Sequence, residues 1–307
     1  MRILVTGASG FIGKNLLQAL PQNWQVVAQY CRSTAFPEFV KRARLANAVA
    51  LQADLTTDEG IEHLTEFSST FDCCVFLAAN GDPTVSTVRP AFDLTSNSLT
   101  LVRLLEKVRF GKFIYFSSGA VYDGLRGPVG PASALAPRLP YAISKLASES
   151  YLKHFRHQGL VDHSVAVRFF GAYGPHEPPR KVYSRLVRQF GILRQPQFTI
   201  RGDGRNLIDA MNVSDAVRAV LLLIEHAEGE VTLDLYSGQP LSLTQLVEQA
   251  AAVFGLKADI RYEGDVPEYI EFHSVDQTQD SYGFTPSIDL QTGLRELRAH
   301  LTESDAA

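Results

Sequence analysis

A tyrosine and a lysine stand one helical turn apart, at Tyr141 and Lys145, so that on a helix both side chains would project from one face. A phenol with a pKa of about 10 is a poor base at neutral pH, and lowering that pKa by about 3 units requires about 4 kcal/mol. A neighbouring ammonium supplies much of this free energy, because an opposite charge favours the ionised form. We therefore expect Lys145 to lower the pKa of Tyr141, which then exchanges a proton with a hydroxyl or ketone oxygen.

Ser118 is a third candidate for this chemistry. It follows an apolar run, residues 113–117, that has the composition of a buried strand. The carboxyl ends of parallel strands are where such sheets hold ligands, so a serine there can hydrogen-bond the reacting oxygen. A tyrosine–lysine pair alone is common on helices and contributes only a few tenths of a kcal/mol, roughly, as a solvated pair. The serine makes the combination specific.

The elements that must position these side chains are visible as short apolar runs alternating with amphipathic stretches, a pattern typical of βαβ units. The predicted strands are residues 2–6, 25–29, 48–52, 73–78, 112–117 and 164–169. The predicted helices between them are residues 12–20, 60–67, 94–108 and 141–157. Several strands are apolar on both faces, as expected where helices cover both. The sequence therefore predicts an α/β fold, a doubly wound parallel sheet (Rossmann fold), in residues 1–170.

The pattern changes after Phe170, where residues 171–179 are rich in glycine and proline. We place a domain boundary there, with residues 171–307 forming mainly a smaller C-terminal substrate-binding lobe from which some segments return to the main sheet. Its predicted helices are residues 183–190, 214–226, 242–254 and 290–301, and its predicted strands are residues 198–200 and 232–236. Ser214 and Asp215 are expected to cap the second of these helices.

Glycines recur directly after the first predicted strand, at Gly7, Gly10 and Gly13, and a helical stretch follows them. In this setting the first glycine permits a tight turn, the second lets the backbone approach a pyrophosphate, and the third lets the helix pack against the strand. The phosphates would lie at a helix N-terminus, where free amides favour anions. The loop therefore predicts a dinucleotide cofactor.

The type of dinucleotide is indicated by the end of the second predicted strand. An NAD site usually has an acid about 20 residues after the glycines, to hold the adenosine 2′-hydroxyl, but residues 1–37 contain no Asp or Glu. Arg32 and Ser33 stand there instead and could receive a 2′-phosphate through charge-assisted hydrogen bonds. The sequence favours NADP over NAD; the alternative, a solvated Arg32 with NAD bound, stays open.

Composition excludes several other classes of function. The net charge is −4, with no run of like charge, so nucleic acid is a poor partner. No apolar stretch approaches the roughly 18 residues of a membrane span, and the N-terminus lacks a signal-peptide pattern, which predicts a cytoplasmic protein. The three cysteines, Cys31, Cys73 and Cys74, lack metal-ligand spacing and are interpreted as core fillers, so no metal is expected.

Taken together, these motifs resemble the extended short-chain dehydrogenase/reductases, specifically the NAD-dependent epimerase/dehydratase group that acts on nucleotide sugars. The resemblance covers nearly the whole chain. It is carried by residues 6–13, Asp54 and Leu55, residues 77–79, Asn97, residues 117–122, residues 141–145, residues 168–170, residues 173–175 and residues 202–204.

The resemblance implies a role for each matching position. The catalytic residues would be Ser118, Tyr141 and Lys145. The cofactor would be held by Gly7, Gly10, Phe11, Ile12, Gly13, Arg32, Asp54, Leu55, Leu77, Ala78, Ala79, Asn97, Tyr141, Lys145 and Phe170. The substrate would be held by Ser118, Gly119, His176, Lys181 and Arg205. Residues 94–108 and 141–157 would form a four-helix homodimer interface.

Departures from the family pattern narrow the reaction. Dehydratases and decarboxylases of the group carry an acid directly after the catalytic hydroxyl residue, whereas this chain has Gly119 and Ala120. Epimerases of the group that work by carbon-acid chemistry pair a histidine at the position of His176 with a cysteine at the position of Ala120. Because the cysteine is absent here, His176 is expected to hydrogen-bond substrate or to be only a structural residue of its loop. Of the reactions of the group, the one that remains consistent with these residues is exchange of a hydride and a proton at a sugar carbon.

Two further departures concern the substrate. Many relatives have asparagine at the position of Gly171 and arginine, which clamps a diphosphate, at the position of Ile208. Another cation must then replace that arginine. The candidates by position are Arg180, Lys181, Arg185 and Arg205.

Three functions are consistent with the sequence. The leading one is an NAD(P)-dependent nucleotide-sugar epimerase or 4-ketoreductase. The second is an NADPH-dependent ketone reductase for a non-nucleotide small molecule, favoured by Arg32, Gly171 and Ile208. The third is a dinucleotide-binding sensor or scaffold without turnover, against which the joint presence of Ser118, Tyr141 and Lys145 argues.

Overall fold

A parallel sheet of seven strands runs through the centre of the computed structural model, which describes residues 1–266 and 270–306. The strands are, in chain order, β1 (Arg2–Thr6), β2 (Gln25–Tyr30), β3 (Ala48–Gln52), β4 (Thr70–Phe76), β5 (Arg109–Ser118), β6 (Arg126–Val129), β7 (Val161–Phe169), β8 (Ala172–Tyr173), β9 (Gln197–Arg201), β10 (Leu207–Ile208), β11 (Met211–Asn212), β12 (Glu230–Leu235), β13 (Leu241–Ser242), β14 (Asp259–Glu263) and β15 (Glu271–Ser274). The helices are α1 (Phe11–Ala19), α2 (Phe36–Arg42), α3 (Asp58–Phe67), α4 (Pro83–Val88), α5 (Pro90–Leu94), α6 (Thr100–Lys107), α7 (Pro140–His157), α8 (Val182–Leu186), α9 (Val213–His226), α10 (Leu243–Val253) and α11 (Leu290–Ala306).

The strand order of the central sheet is β3-β2-β1-β4-β5-β7-β12, with every neighbouring pair parallel. The chain therefore runs outward from β1 to β3 and then returns to the other side of β1 at β4. A reversal of this kind opens a crevice at the carboxyl ends of the two strands. The segments that follow β1 and β4 border that crevice. The predicted doubly wound α/β fold is confirmed.

Both faces of the sheet are covered, which explains its near-continuous apolar strands. One face packs against α1 and α9, whose Leu16 and Val220 are fully buried. The other packs against α3, α6 and α7, where Leu64, Leu104 and Leu152 are buried. None of the helices within the described ranges is both long and apolar enough to cross a bilayer.

The part of the chain after β7 builds a second core and also extends the main sheet. Strand β12 pairs with β7 over its full length, from Glu230 opposite Ser164 to Leu235 opposite Phe169. Helices α8, α10 and α11 bury a separate cluster with β9. The division of the chain at residue 170 stays a prediction.

The structure differs from the predicted elements at several points. The helix predicted for residues 94–108 corresponds to the end of α5, a π-helical turn, Thr95–Leu99, and α6. Directly after the turn, Thr100 Oγ1 donates a hydrogen bond to the Thr95 carbonyl at 2.8 Å. Strand β4 ends at Phe76, two residues earlier than predicted. The cap of α9 is Asn212, which accepts from the Ser214 N–H at 2.8 Å, so the prediction that Ser214 and Asp215 cap it is wrong.

Candidate active site

Ser118, Tyr141 and Lys145 come together where β5 ends beside the first turns of α7. The Oγ of Ser118 accepts a hydrogen bond from the backbone N–H of Ala120 at 3.1 Å, which holds the side chain at the start of a 3₁₀ turn. Tyr141 lies in the first turn of α7, which begins with Pro140, a residue suited to that position because no N–H is needed there. The Ser118 hydroxyl is within hydrogen-bonding reach of the Tyr141 phenol. A substrate oxygen could contact both hydroxyls.

The ammonium of Lys145 is buried behind this pair. Its Nζ donates to the Phe116 carbonyl at 2.8 Å and lies 5.1 Å from the centre of the Tyr115 ring. Burial lowers the pKa of Lys145 to about 8, although the carboxylates of Asp93 and Glu149 favour the charged form. Lys145 is therefore a cation that loses its charge just above neutral pH.

The effect of Lys145 on Tyr141 differs from the expectation. Its Nζ lies 5.8 Å from the centre of the Tyr141 ring. Burial raises the pKa of Tyr141, Ser118 lowers it through a hydrogen bond, and the charge of Asp93 raises it. The prediction that Lys145 lowers the pKa of this phenol below its ordinary value is therefore wrong for the protein's own groups, because desolvation dominates. Neutral Tyr141 is a proton donor as it stands.

The glycine loop is shaped by three close backbone approaches. Gly7 has φ of +62°, and a Cβ there would lie 2.8 Å from the backbone nitrogen of Ala78. At Gly10 and Gly13 a Cβ would lie 3.1 Å from the Gly7 carbonyl oxygen and 2.6 Å from the Ala8 carbonyl oxygen. No side chain larger than hydrogen fits at Gly7 or Gly13 without a backbone shift. Gly7 and Gly13 therefore permit the tight turn and the close helix–strand packing of a dinucleotide-binding loop.

The N-terminus of α1 is open to an anion. Gly10 is the N-cap, no side chain caps the helix, and its first turn, which includes Phe11 and Ile12, contains no acid. Amides at such a terminus favour negative charge. The residues present therefore fit a dinucleotide.

Two residues that sequence reasoning missed hold the loop in place. The side-chain oxygen of Gln29 accepts from the Gly7 N–H at 2.9 Å, while its amide donates to the Ala53 carbonyl at 2.6 Å. Thr6 Oγ1 accepts from the backbone N–H groups of Leu77 and Ala78 at 3.0 and 3.1 Å. Such buried polar residues give no motif because their partners are backbone atoms in the segments that follow β1, β3 and β4.

The residues predicted to hold the adenosine of the cofactor follow the carboxyl ends of β2 and β3. They are Arg32, Asp54 and Leu55. Arg32 is exposed and lies near both Cys31 and Asp54, whose pKa is lowered chiefly by hydrogen bonds from Thr56, against the effect of burial. Leu55 is buried, while the backbone of Asp54 lies against α3. A Cβ on Gly60 would lie 1.9 Å from the Asp54 carbonyl oxygen, so α3 fixes the position of this segment.

Asn97 is buried in a hydrogen-bond network rather than exposed to the crevice. Its Oδ1 accepts from the Asn80 N–H at 2.7 Å, and its Nδ2 donates to Asp93 at 2.9 Å and to Ser144 Oγ at 3.1 Å. Asn80 directly follows Ala79, which is exposed. These contacts position Asn80 and α7, and the predicted contact of Asn97 with the cofactor stays a prediction. Asp93, Asn80 and Ser144 were not found from the sequence.

An aromatic wall closes the site beside Ser118. A Cβ on Gly119 would lie 3.1 Å from the Phe170 ring, so that glycine lets the ring lie against the 3₁₀ turn. The Phe170 ring also contacts Tyr122, Tyr236 and Phe272, with centroids 6.0 to 6.2 Å apart. Gly119 and Phe170, which were both predicted as site residues, therefore lie beside Ser118.

A chain of buried polar groups, also missed, holds α7 to the sheet. Glu149 pairs with Arg168 at 2.8 Å and accepts a short hydrogen bond from Ser117, the neighbour of Ser118 in β5. Arg168 donates to the Tyr122 hydroxyl at 3.0 Å, and Tyr122 donates to Asp234 of β12 at 2.7 Å. The chain links three strands and the catalytic helix.

His176 lies away from the catalytic side chains. Its ring contacts Phe39 of α2 and His300 of α11, with centroids 5.5 and 4.6 Å apart. Burial, with His300 and Lys14 adding to the effect, lowers the pKa of His176 to about 4. Among the described residues no group of His, Cys, Asp and Glu is arranged to hold a metal ion.

The candidate cations are exposed, and two of them are paired. Arg205 forms an ion pair with Asp203 in its own turn, and Arg180 pairs with Asp82 at 3.1 Å. Lys181 is exposed directly before α8. The structure does not bring Lys181 or Arg205 into contact with Ser118, Tyr141 or Lys145.

Comparison with known proteins gives consistent matches over the full chain. A protein of Bacillus subtilis described as an uncharacterized UDP-glucose epimerase is 27% identical over 98% of both chains. The UDP-glucose 4-epimerase of Thermotoga maritima, solved with UDP-glucose, matches with a TM-score of 0.87 at 26% identity over 99% of both chains. The UDP-glucuronic acid 4-epimerase of Bacillus cereus, solved with UDP-glucuronic acid and NAD, matches with a TM-score of 0.85 at 25% identity over 99% of this chain and 100% of that one.

A family model described as the NAD dependent epimerase/dehydratase family matches residues 3–236, which include the glycine loop, Ser118, Tyr141 and Lys145. The match extends from β1 to the residue after β12, and so spans the whole central sheet. The chain belongs to the NAD-dependent epimerase/dehydratase family, a group of extended short-chain dehydrogenase/reductase enzymes.

Proposed function

We propose that this protein is an NAD(P)-dependent nucleotide-sugar epimerase or 4-ketoreductase. The observation that carries the proposal is the grouping of Ser118, Tyr141 and Lys145 at the carboxyl end of β5, beside a crevice bordered by the glycine loop. Such a grouping suits exchange of a hydride and a proton at one carbon. The lobe formed mainly by residues 171–307 supplies the substrate side in this proposal.

In the proposed reaction Ser118 and Tyr141 hold the reacting sugar oxygen between their hydroxyls. When bound, the nicotinamide exchanges a hydride with the carbon that carries this oxygen. In the reductive direction neutral Tyr141 gives its proton to the ketone oxygen; in the oxidative direction tyrosinate takes the hydroxyl proton. The buried cation of Lys145, 5.8 Å from the centre of the Tyr141 ring, offsets part of the cost of burying the tyrosinate charge. A 4-epimerase uses both directions in turn on opposite faces of the sugar.

The residues after Ser118 favour this reaction over elimination of water. Gly119 and Ala120 occupy the turn where an acid would be needed, and Gly119 is packed against Phe170. Neither residue can donate or accept a proton through its side chain.

Replacement of the proposed acid/base tests the chemistry. Tyr141→Phe removes the exchangeable proton and keeps the ring, so we expect kcat to fall about 10²- to 10⁴-fold while cofactor binding is retained. The control is Tyr262→Phe, at an exposed tyrosine of β14, which should keep near-wild-type turnover. Steady-state kinetics with a UDP-sugar panel, together with calorimetric cofactor binding, measures both. Near-wild-type kcat in Tyr141→Phe would refute the role.

The proposed substrate is a nucleotide-activated sugar, supported by the solved relatives that hold UDP-glucose and UDP-glucuronic acid. A specific observation favours the second candidate, an NADPH-dependent reductase of a non-nucleotide ketone. The pairing of Arg205 with Asp203 and of Arg180 with Asp82 leaves fewer cations for a diphosphate.

Titration calorimetry with UDP, GDP, CDP and dTDP distinguishes these two candidates. We expect one of the four nucleotides to bind in the presence of saturating cofactor, because the base and diphosphate are recognised apart from the sugar. Inorganic pyrophosphate is the control for simple attraction of an anion. If none of the four binds more tightly than pyrophosphate, the ketone reductase replaces the epimerase as the better proposal.

For the cofactor, we propose a preference for NADP over NAD. The support is the exposed guanidinium of Arg32 at the end of β2 and the absence of acids from residues 1–37. Solved relatives were crystallised with NAD, so the preference needs a direct test.

Arg32→Ala provides that test. We expect the mutant to lose about 1.5–3 kcal/mol of NADP binding, the contribution typical of a charge-assisted hydrogen bond, with NAD binding nearly unchanged. Arg44→Ala, an exposed arginine in the turn after α2, is the control. Calorimetry of both cofactors measures the ratio of Kd values; an unchanged ratio in Arg32→Ala contradicts the assignment.

We further propose that the protein is a homodimer formed through α5, α6 and α7. The support is a set of large apolar side chains that are well exposed in the single chain. They lie on α5 and α7, in the π-helical turn before α6, and at the end of α4: Leu94, Ile143, Tyr151, Leu99 and Val88. Exposed apolar patches of this kind mark protein–protein contacts.

A charge placed in this patch should dissociate the dimer. Leu94 is 53% exposed, so Leu94→Glu costs little in the folded monomer but buries a carboxylate in the proposed interface. We expect light scattering to give the dimer mass for the unmodified chain and the monomer mass for the mutant. Val49→Glu, at a residue 51% exposed on β3, is the matched control and should stay dimeric. A monomer mass for the unmodified chain would contradict the proposal.

A further inference from the structure

A buried carboxylate lies directly behind the catalytic pair, and the proposed reaction does not use it. Asp93, in α5, is 1% exposed. Its Oδ1 accepts hydrogen bonds from the side-chain amides of Asn80 and Asn97, both at 2.9 Å, and its Oδ2 accepts from the Ser144 hydroxyl at 2.7 Å. The three donors satisfy the carboxylate without a cation in direct contact.

The three donors belong to three different parts of the site. Asn80 lies in the segment between β4 and α4, in which Ala78 lies against Gly7 of the glycine loop. Asn97 lies in the π-helical turn that follows α5. Ser144 lies between Tyr141 and Lys145 on α7, and its hydroxyl also contacts the Tyr141 carbonyl at 3.0 Å. Asp93 therefore fixes the crevice wall and the catalytic helix relative to each other.

The charge of Asp93 reaches the catalytic side chains as well. It raises the pKa of both Tyr141 and Lys145, because a nearby negative charge disfavours tyrosinate and favours ammonium. Glu149 acts on Lys145 in the same direction, and Ser118 opposes Asp93 at Tyr141. The Tyr115 ring, which packs against the ammonium, carries no charge because burial raises the pKa of its hydroxyl.

We propose that Asp93 is a positioning residue that holds the crevice wall and the Tyr141 helix in one arrangement, and that its negative charge acts on Tyr141 and Lys145 during turnover. The inference rests on the proposed role of these two residues in proton exchange. It adds a charged group that no motif of the chain marks.

The sign of the effect follows from the charge. Asp93→Asn is nearly isosteric: its Oδ1 can accept from Asn80 and Asn97, while its Nδ2 donates to Ser144, whose hydroxyl keeps its bond to the Tyr141 carbonyl. Without the negative charge the pKa of Tyr141 and that of Lys145 both fall. Both groups lose a proton above neutral pH, so the alkaline limb of the kcat profile moves to lower pH.

Two measurements test this inference. The first is the tyrosinate absorbance titration of the NADP-saturated protein, from which the curve of the same protein carrying Tyr141→Phe is subtracted to isolate Tyr141. We expect Asp93→Asn to lower that pKa by about half a unit to one unit. The second is the pH profile of kcat, in which the alkaline limb should shift to lower pH. The first needs no turnover, so a shift there with no activity on any nucleotide sugar contradicts the proposed function and not the effect of Asp93.

Ser144→Ala is the matched control, because it removes one hydrogen bond to Asp93 and keeps the charge. It should leave the pKa of Tyr141 and the alkaline limb of the kcat profile in place, whatever its effect on kcat. If Asp93→Asn does not fold, as judged by its thermal unfolding, Asp93→Ser replaces it, since that variant removes the charge and leaves room for water. The inference is overturned if the charge-removing variant lowers kcat evenly across pH, or if Ser144→Ala produces the same shifts.

Discussion

The ion pair between Glu149 and Arg168 fixes the catalytic helix to the sheet, and the arrangement of the site depends on it. Both side chains are almost fully buried, and the guanidinium contacts both carboxylate oxygens. Removal of one partner from such a pair costs about 3–5 kcal/mol, because the other charge is left buried alone. Since Glu149 lies one turn after Lys145, and Ser117 one residue before Ser118, the pair sets the distance between the two halves of the catalytic group.

A second constraint is the lack of space between the glycine loop and its neighbours. Gly7 lies against the segment after β4, and that segment is held in turn by Thr6 and by Asn97. The cofactor crevice and the catalytic helix are therefore joined by short contacts rather than by loops. Asp93 joins the two parts directly, because its carboxylate accepts hydrogen bonds from Asn80 on the crevice wall and from Ser144 on the catalytic helix.

Much of this could be predicted from the sequence, because periodicity and glycine spacing are local signals. The strands, the doubly wound sheet and the grouping of Ser118 with Tyr141 and Lys145 were of this kind. Gln29, Asp93 and Glu149 were missed, since their partners are distant in sequence and only the fold brings them close. The pKa of Tyr141 was predicted in the wrong direction because burial cannot be read from spacing alone. The domain division, the NADP preference and the cytoplasmic location stay predictions.

The place of β12 in the central sheet has a consequence for how the chain is completed during synthesis. Strand β7 keeps one side without a partner until some sixty further residues have been made, and those residues include α8 and α9. An open strand edge of this kind invites pairing with other chains. A fragment that stops near residue 170 would therefore keep this edge of β7 without its partner strand.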